Sequence, residues 1–251
     1  MDARLIDFVK RMATLFGLAA TRHEGRILPA SFLRLCGSEF RDDGYFLDSA
    51  RREADRLINR FGAGRDSAVL DAGCGFGRLA IGLADRIPDL RRYEGIDVSP
   101  AAVAWCRRYI GRRHPNFHFT LIDMHNRRYN PRGRTPAALA LPFASGTFDL
   151  AYLYSVFSHM ELHDVTMYIA ELRRLVRTGG GVFATLYVGE GGPEVVVNPA
   201  DSDRTWTGPL HCVRYRREMI EERFRAAGFA IEDVRHGTET DGQSGYSLRA
   251  V

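Results

Sequence analysis

The sequence predicts an α/β fold in which parallel strands alternate with helices. Three observations carry this prediction. Residues 68–79, Ala-Val-Leu-Asp-Ala-Gly-Cys-Gly-Phe-Gly-Arg-Leu, read as a strand running into Asp71, a tight turn with Gly73, Gly75 and Gly77 at alternate positions, and the start of a helix. Arg92–Ser99 reads as a second strand ending in an acid, Asp97, about 20 residues beyond the glycine turn. Two later strands end at Asp123 and Tyr154. In open parallel sheets ligands bind beyond the carboxyl ends of the strands, so these stretches are expected to converge on one crevice.

The glycine turn lets backbone approach a ligand where a Cβ would collide, and the helix behind it leaves amide N–H groups unpaired. A dinucleotide fingerprint needs Gly-x-Gly-x-x-Gly; here the third glycine comes one residue early and Arg78 stands in its place. Asp71 would repel a pyrophosphate but suits a ligand carrying an ammonium group. This arrangement resembles motif I of the class I methyltransferases that use S-adenosylmethionine, and the resemblance extends over most of residues 65–251. It implies a Rossmann-like, doubly wound, seven-stranded sheet with an antiparallel last strand, preceded by a helical N-terminal extension. It also implies S-adenosylmethionine as cofactor and S-adenosylhomocysteine as product.

Two regions follow: an N-terminal extension or cap over 1–64 and the cofactor-binding domain over 65–251. In the extension, Leu5, Phe8, Val9, Met12, Leu15 and Phe16 recur at helical spacing, and a second helix is expected over Tyr45–Phe61. The resemblance implies that such an extension folds over the cofactor. That makes Phe40, Arg41 and Gly44, in the segment between the helices, candidate contacts; a plain helix-connecting turn explains them equally well.

The first core helix follows Gly77 and stops before Pro88. Asp97 then fits the acid that holds both ribose hydroxyls, with Val98 beside it; the alternative role of helix cap is better filled by Ser99, ahead of Pro100. A helix is expected from Pro100 to Arg112, with Trp105 packing, and a third strand over Asn116–Met124. In the family pattern an acid here, Asp123, accepts from the adenine amino group, and the Met124 thioether lies against the adenine ring. Asp123 also reads as an ordinary turn acid. Residues 125–140 are an arginine- and asparagine-rich loop, suited to a polar acceptor such as a sugar or to plain solvation. Leu141-Pro-Phe through Phe148-Asp149 resembles the family's approach to its fourth strand, whose end at Tyr154 passes under the methionine part of the cofactor. A helix at Val165–Val176, a turn at Arg177–Gly181 and a strand at Val182–Val188 follow. Residues 189–210, rich in Gly, Pro and Asp, read as a loop over the acceptor site. Trp206 in this loop and Tyr187 at the end of the preceding strand are the candidate substrate contacts. A helix at Arg216–Ala227 and strands at Phe229–Val234 and Gly245–Ala250 close the chain.

Methyl transfer needs the acceptor held in line behind the sulfonium methyl, so positioning supplies much of the effect. A hydroxyl acceptor gains from a base, and His159, just after the fourth strand, is the candidate catalytic residue. A histidine that only hydrogen-bonds the loop or the cofactor carboxylate is the alternative. His159 and His163 are four apart, but Glu161 falls on another side and the order is not His-Glu-x-x-His. No metal ligand is therefore assigned, although magnesium with Asp164 is possible.

The reading is O-methylation of a sugar, glycan or other small molecule. N- or C-methylation, a nucleotide-cofactor oxidoreductase and a non-catalytic cofactor-binding protein are the alternatives. The absence of an Asn/Asp-Pro-Pro-Tyr motif after the fourth strand argues against base methylation. The net charge of +4 does not point to nucleic acid, because 35 basic residues, all but Lys10 arginine, are interleaved with 31 acids in no long block. Cys36, Cys74, Cys106 and Cys212 show no metal or redox spacing and read as buried thiols. No apolar run reaches membrane-spanning length and no secretory signal is seen, so a cytoplasmic protein without membrane or nucleic-acid partner is expected.

Overall fold

The computed structural model describes Val9, Met12, Ala13 and residues 19–34, 37–134, 139–202 and 204–251. Two compact units share the chain, Met1–Ile122 and Asp123–Val251.

In the first unit, Val9, Met12 and Ala13 are helical, and the rest of the helix expected before residue 19 lies outside the described residues. The sequence predicts no strand in the extension, yet β1 (Ala20–His23) and β2 (Arg26–Pro29) form an antiparallel hairpin. Its two-residue turn has positive φ at both Glu24 and Gly25, the geometry that matches strand twist. Behind it Arg34 is buried. Its guanidinium donates to the carbonyls of Pro29 (2.8 Å), Phe40 (3.1 Å) and Asp42 (3.0 Å) and pairs with the Asp43 carboxylate. One cation thus folds the segment that leads into α1 (Asp43–Phe61). The Asp42 side chain caps that helix by accepting from the Tyr45 N–H at 2.7 Å, and Gly62 ends it in the left-handed conformation.

The apolar stripe Phe46, Leu47, Ala50, Ala54 and Leu57 of α1 is buried. It packs on α2 (Arg78–Arg86), and a Cβ on Gly82 would sit 1.9 Å from the Ala50 carbonyl oxygen. Glycine therefore sets the closest approach of the two helices. Strands β3 (Ala68–Ala72), β4 (Arg92–Asp97) and β5 (Phe117–Leu121) run parallel, β4 in the middle, with Asp71 opposite Gly95 and Asp97 opposite Leu121. All five β3 residues are buried, which is why that strand reads as an unbroken apolar run around its acid. Ser99 caps α3 (Pro100–Cys106) with Pro100 in its first turn. The helix expected as far as Arg112 continues as one π turn, Arg107–Gly111. Trp105 is buried and donates to the Ala19 carbonyl at 2.7 Å.

In the second unit, β6 (Phe148–Leu153) is joined through α4 (Leu162–Leu175) to β7 (Val176–Gly189), and the two strands are parallel. The expected turn at Arg177–Gly181 is absorbed into β7: the register jumps from Phe148 opposite Val176 to Leu150 opposite Gly181, so a bulge takes up the glycines. Residues 189–210, expected as loop, include β8 (Val195–Val197). It pairs antiparallel with β9 (Val213–Arg216), which runs parallel to the end of β7. After α5 (Arg217–Ala226), β10 (Phe229–Arg235) and β11 (Ser244–Ala250) close the unit, β11 antiparallel to both β7 and β10. Three parallel strands in one unit, and in the other a parallel pair flanked by an antiparallel closing pair, make up the Rossmann-like α/β fold. Among the described residues no helix is long and apolar enough to cross a membrane.

Candidate cofactor and acceptor sites

The glycine turn holds its shape through backbone. The Gly73 and Cys74 N–H groups donate to the Ile96 carbonyl (2.8 and 3.0 Å), and Gly77 N–H donates to Cys74 (2.9 Å). Gly73, Gly75 and Gly77 all have positive φ. The last two differ in what surrounds them. A Cβ on Gly77 would meet Ile110 Cδ1 at 2.5 Å and Cys106 Sγ at 3.2 Å; one on Gly75 would meet nothing within 4 Å. Gly77 is glycine for packing, and Gly75 turns an open face outward, as a ligand-facing backbone must. Cys74 and Cys106 are buried, and both thiols lie on the Gly75 carbonyl oxygen, at 3.7 and 3.4 Å. Cys212 is also buried and free, and Cys36 lies outside the described residues.

Asp97 ties the second strand end to this turn. Its Oδ2 accepts from Gly75 N–H (2.8 Å) and its Oδ1 from Ser99 N–H (2.8 Å). Burial raises its pKa, and the Ser99, Gly75 and Val98 amides oppose the rise. A carboxylate has about four acceptor positions, so these bonds leave room for a diol. Asp71 is only 2% exposed and accepts a short hydrogen bond from the Tyr93 hydroxyl. Burial pushes its pKa up to about 7, against the pull of Tyr93 and Arg78 and with a further push from Asp97. Tyr93, the residue that holds Asp71, is a partner that sequence reasoning missed; only its place on the next strand hints at it. Arg78 lies 3.9 Å from Glu53 and over the Phe40 ring at 5.5 Å, so the N-terminal segment reaches the residue that follows the glycine turn. Gly44 lies in the first turn of α1, where an added Cβ would lie 3.3 Å from Asp42 Oδ1 and 3.8 Å from His23 Nε2. The Arg41 carbonyl accepts from Arg34.

The other named residues belong to the second unit. Asp123 is exposed, held by Arg134 (3.3 Å) and Asn130 (3.4 Å), whereas Met124 is buried. The Tyr154 hydroxyl accepts from Thr240 N–H at 3.1 Å, and its ring stacks on Tyr152. Ser155 beyond it has φ 58, a strained conformation for a residue with a Cβ, right at a strand end. A buried network holds it there. Its N–H donates to Thr185 Oγ1 (2.7 Å), Thr185 donates to Gln243 Oε1 (2.8 Å), and Gln243 Nε2 donates to Ser155 Oγ (2.8 Å). Tyr187 joins through Gln243 and accepts from Arg204 at 3.2 Å; burial raises its phenol pKa.

His159 sits on a short turn, Phe157–His159, pinned by the Tyr215 hydroxyl at the Phe157 and Met160 carbonyls (2.9 and 2.6 Å). Its Nδ1 lies 3.1 Å from the Leu210 carbonyl oxygen. A carbonyl only accepts, so Nδ1 carries the proton and Nε2 presents a lone pair. Burial lowers its pKa to about 4; the Leu210 carbonyl and the His211 backbone oppose this, and the charges of Arg128 and the His211 side chain add to it. Tyr129 meets the ring edge-on at 5.5 Å, and Trp206, which donates to Pro199, meets His211 in the same way at 5.5 Å. Asn126 is the buried tie. Its Nδ2 donates to the His159 carbonyl (3.0 Å), and its Oδ1 accepts from the Arg128 and Tyr129 amides (3.0 and 2.9 Å). Among the described residues no three His, Cys, Asp or Glu side chains gather as a metal site.

Residues 69–180 match the family model described as a methyltransferase domain. Three solved structures share the fold. The [4+2]-cyclase SpnF is 21% identical, with 99% of this chain and 94% of that one covered and a TM-score of 0.58. Geranyl diphosphate C-methyltransferase from Streptomyces coelicolor A3(2), solved with Mg2+, geranyl diphosphate and S-adenosyl-L-homocysteine, is 17% identical over 80% of this chain and 79% of that one, TM-score 0.57. A putative O-methyltransferase from Nostoc punctiforme is 16% identical over 81% of this chain and 56% of that one, TM-score 0.54.

Proposed function

We propose that this chain transfers a methyl group from S-adenosylmethionine to a hydroxyl oxygen of a small molecule or sugar, with His159 as the base, a reading supported by the match of residues 69–180 to the methyltransferase-domain family model. The observation that carries the choice of oxygen is the His159 tautomer: Nδ1 is committed to the Leu210 carbonyl, and Nε2 is left as an acceptor on a ring kept neutral by burial. A neutral imidazole with a free Nε2 is what a hydroxyl proton needs.

The residues present fit the cofactor. Asp97 retains acceptor capacity for the ribose hydroxyls, Gly75 offers an uncovered backbone face, and Asp71 supplies buried negative charge for the ammonium group. Asp123 suits the adenine amino group, Met124 its ring face, and Tyr154 the methionine portion. Bound S-adenosylmethionine supplies an electrophilic methyl on a sulfonium. The chain's task is to align the acceptor oxygen and to move its proton to His159 Nε2. Tyr187 and Trp206 line the acceptor side. Residues 1–64 act as a cap, a reading supported by Phe40 packing beneath Arg78.

Calorimetric titration with S-adenosylhomocysteine, against NAD, tests the cofactor; micromolar binding of the first that is lost in Asp97→Ala supports the reading, and binding of NAD instead overturns it. Transfer of labelled methyl to a panel of hydroxyl, amine and carbon acceptors tests the chemistry. Product on nitrogen or carbon alone, or full turnover by His159→Gln with both substrates saturating, would sink the oxygen assignment.

A further inference from the structure

The Arg128 guanidinium lies over the Tyr129 ring at 5.6 Å, and among the described residues no carboxylate balances its charge. It forms no ion pair with a carboxylate among them, and its Nε–H is out of water without an acceptor. Its Nη1 is committed to the Thr207 carbonyl at 2.8 Å. The fork formed by Nε and Nη2 is therefore the edge of the guanidinium left without a hydrogen-bond acceptor, the edge that grips carboxylates and phosphates with two parallel hydrogen bonds. A buried N–H without an acceptor costs about 1–3 kcal/mol, more on a charged group, so a solvated surface arginine would not be folded this way.

The surroundings match an anion. The Arg128 charge lowers the pKa of both His159 and His211, and Arg204 acts on His211 as well. The carboxylate opposing them is Asp241, which is paired with Arg204 at 3.0 Å; Glu161, further along, pairs with Arg127 at 3.5 Å. Arg128 is also fixed relative to His159, because Asn126 binds the Arg128 amide with one end and the His159 carbonyl with the other. Tyr129 fills the space against the imidazole edge.

We propose that Arg128 is the anion-binding residue of the acceptor site: the acceptor bears a carboxylate or phosphate, held on the Nε–Nη2 edge of Arg128 beside the hydroxyl presented to His159. This rests on the reading of the chain as a methyltransferase with His159 at its acceptor site. It adds a consequence for the base. Burial is the main cause of the weak basicity of His159 and the Arg128 charge adds to it, so an anion seated on Arg128 offsets that added part and moves the imidazole toward higher basicity.

The test uses the full chain labelled with 13C-histidine and follows the imidazole resonances by NMR at fixed ionic strength. Inorganic phosphate and acetate are the probes, with chloride as the control. Saturable shifts of His159 and His211 with phosphate or acetate are expected, with apparent affinity at least about tenfold weaker in Arg128→Gln. Arg128→Lys, which keeps the charge without the fork, falls between and serves if the Gln variant does not fold. Tighter phosphate assigns a phosphorylated acceptor, tighter acetate a carboxylic acid. No saturable shift with either probe, or the same affinity in both Arg128 variants as in the parent chain, overturns the proposal. S-adenosylhomocysteine calorimetry on the same samples separates the two readings. Cofactor binding without an anion response removes only the Arg128 assignment; an anion response without cofactor binding removes the methyl-transfer reading.

Discussion

At the residue scale, the placement of the acids at strand ends was legible because it depends on local pattern. Asp71 and Asp97 each stand near the carboxyl end of a strand, and Asp97 accepts from the Gly75 amide of the glycine turn. What was not legible was the partner. Tyr93 under Asp71, Asn126 under His159 and Gln243 behind Ser155 are chosen by packing between distant segments, and their own neighbours in sequence carry no sign of it. The three glycines looked alike in sequence and differ in space, which yields a prediction. Gly77→Ala forces a Cβ to 2.5 Å from Ile110 at φ 79. It should cost about 2–4 kcal/mol, read as a lower unfolding midpoint in urea. Gly75→Ala meets no neighbour and should cost about 1 kcal/mol for its backbone conformation alone, yet weaken S-adenosylhomocysteine binding about tenfold or more by covering the open face. Equal stability losses in the two variants would contradict this division. Asp71 gives a second prediction at this scale. A cationic amino group favours its ionised form, and its pKa is about 7. Affinity should therefore fall below pH 7, by up to about tenfold per pH unit, and Asp71→Asn should flatten that dependence. A parent chain with pH-independent affinity between 5 and 8 would remove Asp71 from cofactor binding.

Most elements of the domain were legible, since strand, glycine turn and helix follow from apolar runs and punctuation. The misses have physical causes. The hairpin at residues 20–29 is only eight strand residues with a Glu-Gly turn, too short to stand out beside helical periodicity. The glycines at 179–181 read as a turn because a bulge needs the same residue type. Val195–Val197 is a β-forming triplet overshadowed by the glycines and prolines around it. At this scale Arg34 is the residue to test. It holds four separate backbone carbonyls and Asp43 while buried, so it organises the whole link between β2 and α1. Arg34→Met keeps the side-chain bulk and removes the donors, which strands acceptors that have no water. It should cost about 3 kcal/mol of stability. The link also carries Phe40 to Arg78, so the same variant should weaken S-adenosylhomocysteine binding. A variant as stable as the parent, by urea unfolding, would show that hydration replaces the arginine.

At the scale of the whole molecule, two buried groups act on stability with opposite sign. Asp71 has its pKa raised from 3.8 to about 7 by burial. Between these values the unfolded chain has lost the proton and the folded chain keeps it, so stability falls as pH rises from about 4 to 7. His159 has its pKa lowered from 6.5 to about 4, also by burial first. Between these values the unfolded chain holds a proton that the folded chain lacks, so stability rises with pH over nearly the same window. At about 1.4 kcal/mol per pKa unit the effects are on the order of 4–5 kcal/mol for Asp71 and 3–4 kcal/mol for His159. Where the chain unfolds in one transition they largely cancel, and urea midpoints for the parent should change little between pH 4.5 and 6.5. Removing one group uncovers the other. Asp71→Asn should become more stable as pH rises through that window, and His159→Gln should become less stable. Parallel pH profiles in the two variants would mean that at least one of these groups titrates normally in the folded chain. If that group were His159, the imidazole would already be charged near pH 6, and its assignment as a base kept neutral by burial would fall with it.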